Sequence, residues 1–133
     1  MFKLNKKTEY GLLALQYITS QPLKMATARE IADAYNISPT LLAKVLQSLA
    51  KKGIVESVQG AQGGYRVTSD PQDLSIARVV EAIEGPIHIT DCYLHTAGCE
   101  RTPECTLRDR FGLLQNGIMN QLNTVSLAQF FKE

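Results

Sequence analysis

The residues of this chain best able to do chemistry are gathered in one short stretch. Cys92, Cys99 and Cys105 are its only cysteines, and both histidines, His88 and His95, lie in or just before the same segment, Asp91–Thr106, "DCYLHTAGCERTPECT". Thiols clustered in this way, and odd in number, point to metal ligation or redox chemistry rather than to structural disulfides. Six residues separate the first two cysteines and five the second two, with Gly98 and Pro103 bending the chain between them. Paired zinc knuckles use closer spacing, roughly two to four residues between ligands, so this loop suits something larger than a single ion. Three thiolates leave an iron–sulfur cluster one ligand short of the usual four. His95 would complete a Cys3His set, which keeps a zinc site open. Oxidation of two thiols to a disulfide, without metal, is a third use of the same residues. His88, between Ile87 and Ile89, reads as a strand or packing residue. Cys92 with His95 could imitate a catalytic thiolate pair, but two further cysteines nearby speak for ligation, and no oriented base or paired carboxylates accompany them. The chain is therefore read as not an enzyme.

Those ligands must be positioned by a small body. A length of 133 residues with 44% hydrophobic content gives one ordinary domain, or a small domain with an appendage. The apolar runs are short, and the opening "MFKLNKKTEY" has no signal-peptide core, so a cytoplasmic protein with no membrane association is expected. Charge is uneven along the chain. Residues 1–70 carry nine Lys or Arg against five Asp or Glu, and residues 71–133 carry five against eight. A basic half joined to an acidic one suggests a module that faces a polyanion and another that does not.

The basic half reads as three helices and a hairpin. From Thr8, Tyr10, Leu13, Ala14, Tyr17 and Ile18 recur at helical spacing, and the helix should stop near Gln21–Pro22. A second helix starts at Thr27, with Glu30 placed for a capping box and Ile31, Ala32 and Tyr35 facing inward. After a turn at Asn36, Ser38 caps a third helix with Pro39 at its first position, Leu42, Val45, Leu46 and Leu49 as its buried stripe and Gly53 at its end. "IVESV" and "YRVTS" then read as strands around the glycine loop Gly60–Gly64. Helix, turn, proline-started helix and hairpin in immediate succession is the plan of a winged helix-turn-helix, whose second helix presents side chains to the major groove. The candidate DNA contacts are Ser38, Thr40, Lys44 and Gln47 on that helix, and Gln59, Gln62, Tyr65 and Arg66 on the wing.

The acidic half begins with a helix capped by Ser75, carrying Ile76, Val79, Val80 and Ile83 and closing at Gly85–Pro86. Beyond the cysteines, Leu107, Phe111, Leu114, Ile118 and Leu122 form an apolar stripe about four turns long. A chain this small leaves little to bury such a stripe, so pairing with the same helix of a second copy is expected, and a two-fold homodimer suits a two-fold site on double-stranded DNA. A closing segment should dock Leu127, Phe130 and Phe131 on the core. The expected fold is mainly α with a small β-hairpin. It divides into a winged helix-turn-helix at 1–85, a cluster-binding loop at 86–106, and a dimerisation helix with its C-terminal segment at 107–133.

Across nearly its whole length the sequence resembles the Rrf-two family of dimeric winged-helix regulators. The likeness rests on "EYGLLAL", "LAKVLQSLAKKGIVES", the "GAQGGY" wing, the three-cysteine loop and the closing "LNTVSLAQFF". The resemblance implies a transcriptional regulator that senses iron–sulfur status, redox state or nitric oxide through a cluster on the three cysteines, with the fourth ligand from elsewhere. In NsrR-like members that ligand is an acidic residue near the start of the first helix of the other subunit, and the matching residue here is Glu9. In IscR-like members it is a histidine three residues after the third cysteine, where this chain has Arg108. Glu9 therefore leads His95, with a small molecule or solvent after them, as the fourth ligand, and by the same resemblance three cysteines with a carboxylate imply 4Fe–4S rather than 2Fe–2S. Relatives also often carry arginine where Gln59 stands, so the target DNA is expected to differ from theirs.

Overall fold

The computed structural model describes residues 3–90 and 105–132. In chain order the elements are α1 (Lys6–Ser20), β1 (Met25–Ala26), α2 (Ala28–Tyr35), α3 (Pro39–Lys51), β2 (Val55–Val58), β3 (Gly64–Val67), a 3-10 turn (Pro71–Asp73), α4 (Ile76–Glu84), α5 (Arg108–Thr124) and α6 (Leu127–Phe130). No described helix is long and apolar enough to cross a membrane.

Local side-chain chemistry starts most of these helices. Asn5 Oδ1 accepts from Thr8 N–H at α1 (3.1 Å), Thr27 Oγ1 from Glu30 N–H at α2 (3.1 Å), Ser38 Oγ from Leu41 N–H at α3 (3.4 Å) and Ser75 Oγ from Arg78 N–H at α4 (3.2 Å). Each bond satisfies one of the amides that a helix start leaves without an internal partner. A complete reciprocal capping box forms at α6, between Ser126 and Gln129. The turn between α2 and α3 is made by Asn36 in the left-handed conformation, at φ 53°, a region that asparagine tolerates better than most residues.

The core is one cluster in which α1 packs along both α3 and α4. The expected stripe of α3, Leu42, Val45, Leu46 and Leu49, is buried. On α1 the buried face is Gly11, Leu12, Ala14, Leu15 and Ile18, whereas Tyr10, Leu13 and Tyr17 are only partly covered. This corrects the face expected from the sequence, because "GLLAL" is apolar on nearly every side and periodicity cannot choose among faces that packing then distinguishes. Tyr17 meets Tyr35 edge-on, with centroids 6.1 Å apart, and so fastens α2 to α1.

The hairpin is the expected one, but it is part of a three-stranded antiparallel sheet in the order β1-β3-β2. Glu56 faces Arg66 and Ser57 faces Tyr65 across β2 and β3, and Ala26 faces Tyr65 across β1 and β3. A Cβ on Gly64 would lie 2.6 Å from Ala26 O, and Gly64 has φ +151°, so only glycine lets β1 close on β3 there. The C-terminal segment returns to the core. Leu127 N–H donates to Leu74 O (2.7 Å), Ile76 N–H to Val125 O (2.9 Å), and the Leu127 side chain is fully buried. Phe131 is half-buried against the core, but Phe130 is exposed, a second correction: its ring lies on that of Phe131, with centroids 5.7 Å apart, rather than on the core.

Leu46 is fully buried at the contact of α3 with the rest of the core. Leu46→Ala should cost about 2–5 kcal/mol of folding stability, read by urea unfolding, because cavity and lost transfer energy add.

Candidate functional site

The outward side of α3 is set by its inward one. With Leu42, Val45, Leu46 and Leu49 turned to the core, Thr40, Lys44 and Gln47 stand exposed, and exposed Ser38 precedes them with its hydroxyl oxygen engaged as the N-cap. The chain passes to the wing through a tight stop, in which Gly53 N–H donates to Ala50 O and Ile54 N–H to Leu49 O (3.0 and 2.9 Å). Gln59 and Gln62 are exposed in the loop between β2 and β3. Tyr65 is half-buried against the core. Arg66 is exposed, and its Nε donates to the carboxylate of Glu56 directly across the ladder. The α3 group thus shares one surface, the wing supplies a second beside it, and Arg66 shares its charge with a neighbouring acid.

Cys92, Cys99 and His95 lie outside the described residues. Cys105 is half-buried, just ahead of α5. Glu9 is exposed in the first turn of α1, where its carboxylate accepts from Lys6 Nζ at 3.0 Å. That hydrogen bond, helped by the carboxylate's charge, holds the Lys6 ammonium above its ordinary range. Among the described residues no three His, Cys, Asp or Glu side chains come together as a metal site. Cysteine thiolates are the usual ligands of an iron–sulfur cluster, and the three of this chain would supply all but one of the four it takes.

Two polar contacts around the chain that leaves α4 were not foreseen. Thr8 of α1 is a polar residue that is fully buried, and its hydroxyl donates to Glu84 at the last turn of α4. The same carboxylate oxygen accepts from Asn5 N–H at 3.4 Å. A few residues on, Gln115 of α5 holds the segment Ile87–Ile89: its amide nitrogen donates to Ile87 O, and its carbonyl accepts from Ile89 N–H at 2.9 Å. One signal was present in the sequence. Glu84 puts a negative charge at the negative end of its own helix, an unfavourable place that calls for another partner. Gln115 gave none, because a glutamine followed by an asparagine on a long helix reads as surface. Between α4 and α5 lies a cleft of about 460 Å³ lined by Leu4, Val80, Glu84, His88, Ile118 and Leu122 among others.

Helix α5 has no buried residue within the chain, and Leu107, Leu113 and Leu114 are 49%, 75% and 58% exposed. Phe111, Ile118 and Leu122 of the expected stripe are partly covered, and Leu122 packs against the core.

Comparison with known proteins agrees with this architecture. A family model described as "Rrf2: Iron-dependent Transcriptional regulator" matches residues 4–133. The HTH-type transcriptional regulator NsrR of Halalkalibacterium halodurans is 34% identical over 108 residues, covering 80% of this chain and 74% of that one. A crystal structure of a transcriptional regulator from Listeria innocua superposes with a TM-score of 0.81 at 25% identity, over 98% of this chain and 87% of that one. CymR of Bacillus subtilis, titled the global cysteine regulator, superposes with a TM-score of 0.76 at 23% identity, over 98% and 96% of the two chains, and so shares the winged-helix fold. With a recognition-type helix, a wing and a match along almost its full length, the chain belongs to the Rrf2 family of transcriptional regulators.

Proposed function

We propose that this DNA-binding regulator works as a homodimer on a two-fold double-stranded site and senses iron–sulfur status, redox state or nitric oxide through a cluster held by Cys92, Cys99, Cys105 and Glu9. The observation that carries the reading is the place of Glu9. It stands exposed on the first turn of α1, and α1 is the helix packed along α3. A ligand at that point is joined mechanically to the DNA-binding helix. The family's description as iron-dependent supports the same metal. In this reading residues 1–85 form the DNA-binding unit, 86–106 the cluster loop and 107–133 the dimerisation helix with its closing segment.

Each part has a defined task. Thr40, Lys44 and Gln47 of α3 reach base edges and phosphates, with Ser38 at the helix start, while Gln59, Gln62, Tyr65 and Arg66 carry the wing's contacts. Lys44 supplies much of the salt dependence of binding. The exposed leucines of α5 pair with those of a second copy, which brings Glu9 of one chain towards the cysteines of the other. A bound cluster supplies a centre whose assembly, oxidation or nitrosylation differs between cellular conditions. Glu9 reports that state by being held or released, and α1 passes the difference to α3. The resemblance to NsrR-like regulators favours 4Fe–4S.

The test of the cluster is iron and acid-labile sulfide per chain in protein purified without air, for wild type and Glu9→Ala. The wild type should be brown and carry both, and the variant should hold less or lose it faster. Because Glu9 is exposed and engaged with Lys6 alone among the described contacts, the substitution should move the metal-free melting temperature by no more than roughly 2 °C. A colourless wild type after anaerobic reconstitution, with zinc or no metal, would replace this reading with a zinc or thiol–disulfide regulator. For the dimer, replacing Leu113 and Leu114 together by glutamate should turn a dimer into a folded monomer in sedimentation equilibrium. Retention of the dimer by that variant contradicts the role given to α5.

A further inference from the structure

The carboxylate of Glu84 stands where its own helix disfavours it. It is the last residue of α4, beside carbonyl groups that carry partial negative charge, and no basic residue lies in that last turn. The same carboxylate lies at the start of α1, the positive end of a fifteen-residue helix, and accepts from both Asn5 N–H and the Thr8 hydroxyl. Thr8 is fully buried, so without Glu84 its hydroxyl would lose its partner out of reach of water. One turn further along, Gly11 lets Ile83 approach so closely that a Cβ on Gly11 would collide with the Ile83 side chain. Helix α1 therefore meets the end of α4 through a polar contact and a steric one, side by side. The chain leaving α4 is then caught again by Gln115 of α5 at Ile87 and Ile89.

We propose that Glu84 is a positioning residue for sensing. It clamps the first turn of α1, and with it Glu9, to the stem of the cysteine loop, as Gln115 clamps that stem to α5. The inference rests on the proposed function in one respect only, that the loop after α4 is the sensing element. The clamp makes the position of that stem and the position of α1 one variable. A change at the loop that shifts the stem pulls α1 through Glu84 and Thr8, and α1 packs on α3. With the clamp cut, Glu9 and α3 no longer follow the stem.

The experiment is amide hydrogen exchange on the full-length metal-free protein, for wild type, Thr8→Val, Thr8→Ser, Glu84→Ala and Glu84→Gln. Thr8→Val keeps the shape and removes the donor, and Glu84→Ala removes the acceptor. Thr8→Ser keeps the hydroxyl donor, and Glu84→Gln keeps an accepting oxygen without the charge. Exchange at Thr8, Glu9 and Tyr10 should rise roughly tenfold in Thr8→Val and Glu84→Ala, the factor expected for loss of a hydrogen bond to a charged group, and stay close to wild type in the two conservative variants. Unchanged exchange in Thr8→Val and Glu84→Ala, or an equal rise in all four variants, overturns the clamp. The sensing role is read on reconstituted protein. Glu84→Ala should keep its iron but lose at least about fivefold of the ratio between loaded and metal-free DNA affinity, while Glu84→Gln retains that ratio. An undiminished ratio in Glu84→Ala overturns the role in sensing. A wild type that takes up no iron contradicts the cluster reading instead, and the exchange comparison still decides for or against the clamp.

Discussion

Helix α1 is buried along Leu12, Ala14, Leu15 and Ile18 against α3 on one side and α4 on the other, and Gly11 brings the second contact to its closest approach. Interiors packed at this density do not deform smoothly, so a displacement of α1 is passed to its neighbours or resisted as a whole. The helix that carries Glu9 is thus also the support of the recognition-type helix and the neighbour of the cysteine loop's stem. Few arrangements would let an event at the edge of so small a protein reach its DNA-binding surface with so few intermediates.

The energies involved are of the right size. Allosteric coupling between two sites commonly amounts to about 1–3 kcal/mol, and a single hydrogen bond to a charged group contributes about 1.5–3 kcal/mol. The part-buried contact of Thr8 with Glu84 is a bond of that kind, whereas the exposed pair of Lys6 and Glu9 is too well solvated to hold α1 in place. A regulator needs only a ligand that binds its two arrangements unequally.

Legibility in the sequence followed the range of the interactions. Caps at Thr27, Ser38 and Ser75 and the buried stripe of α3 were readable because a cap joins residues three apart and a stripe repeats within one helix. The turn at Asn36 and the hairpin carried equally local signals. The face of α1 was not readable, because its apolar residues surround the helix. Strand β1 is two residues long and exists only through its pairing with β3. The clamp at Glu84 joins positions 76 residues apart, and that of Gln115 joins positions 28 apart, so neither leaves a pattern in the chain. The stripe of α5 was readable as a stripe, but not which of its residues the chain itself covers: Leu107 and Leu114 are exposed, whereas Phe111, Ile118 and Leu122 are partly covered. Of the candidate ligands the residue types were plain from the start, while the geometry of Cys92, Cys99 and His95 lies outside the described residues.

The central claim is that DNA affinity depends on a cluster, and it is met most directly by one comparison on wild-type protein. A DNA fragment selected for tight binding from genomic fragments would be titrated under argon with the reconstituted protein, and again after the cluster has been removed from the same preparation. The account predicts dissociation constants that differ by roughly fivefold or more, with the difference reversed on reconstitution. Equal affinities in the two states, from a preparation whose iron and sulfide confirm loading and removal, would contradict it.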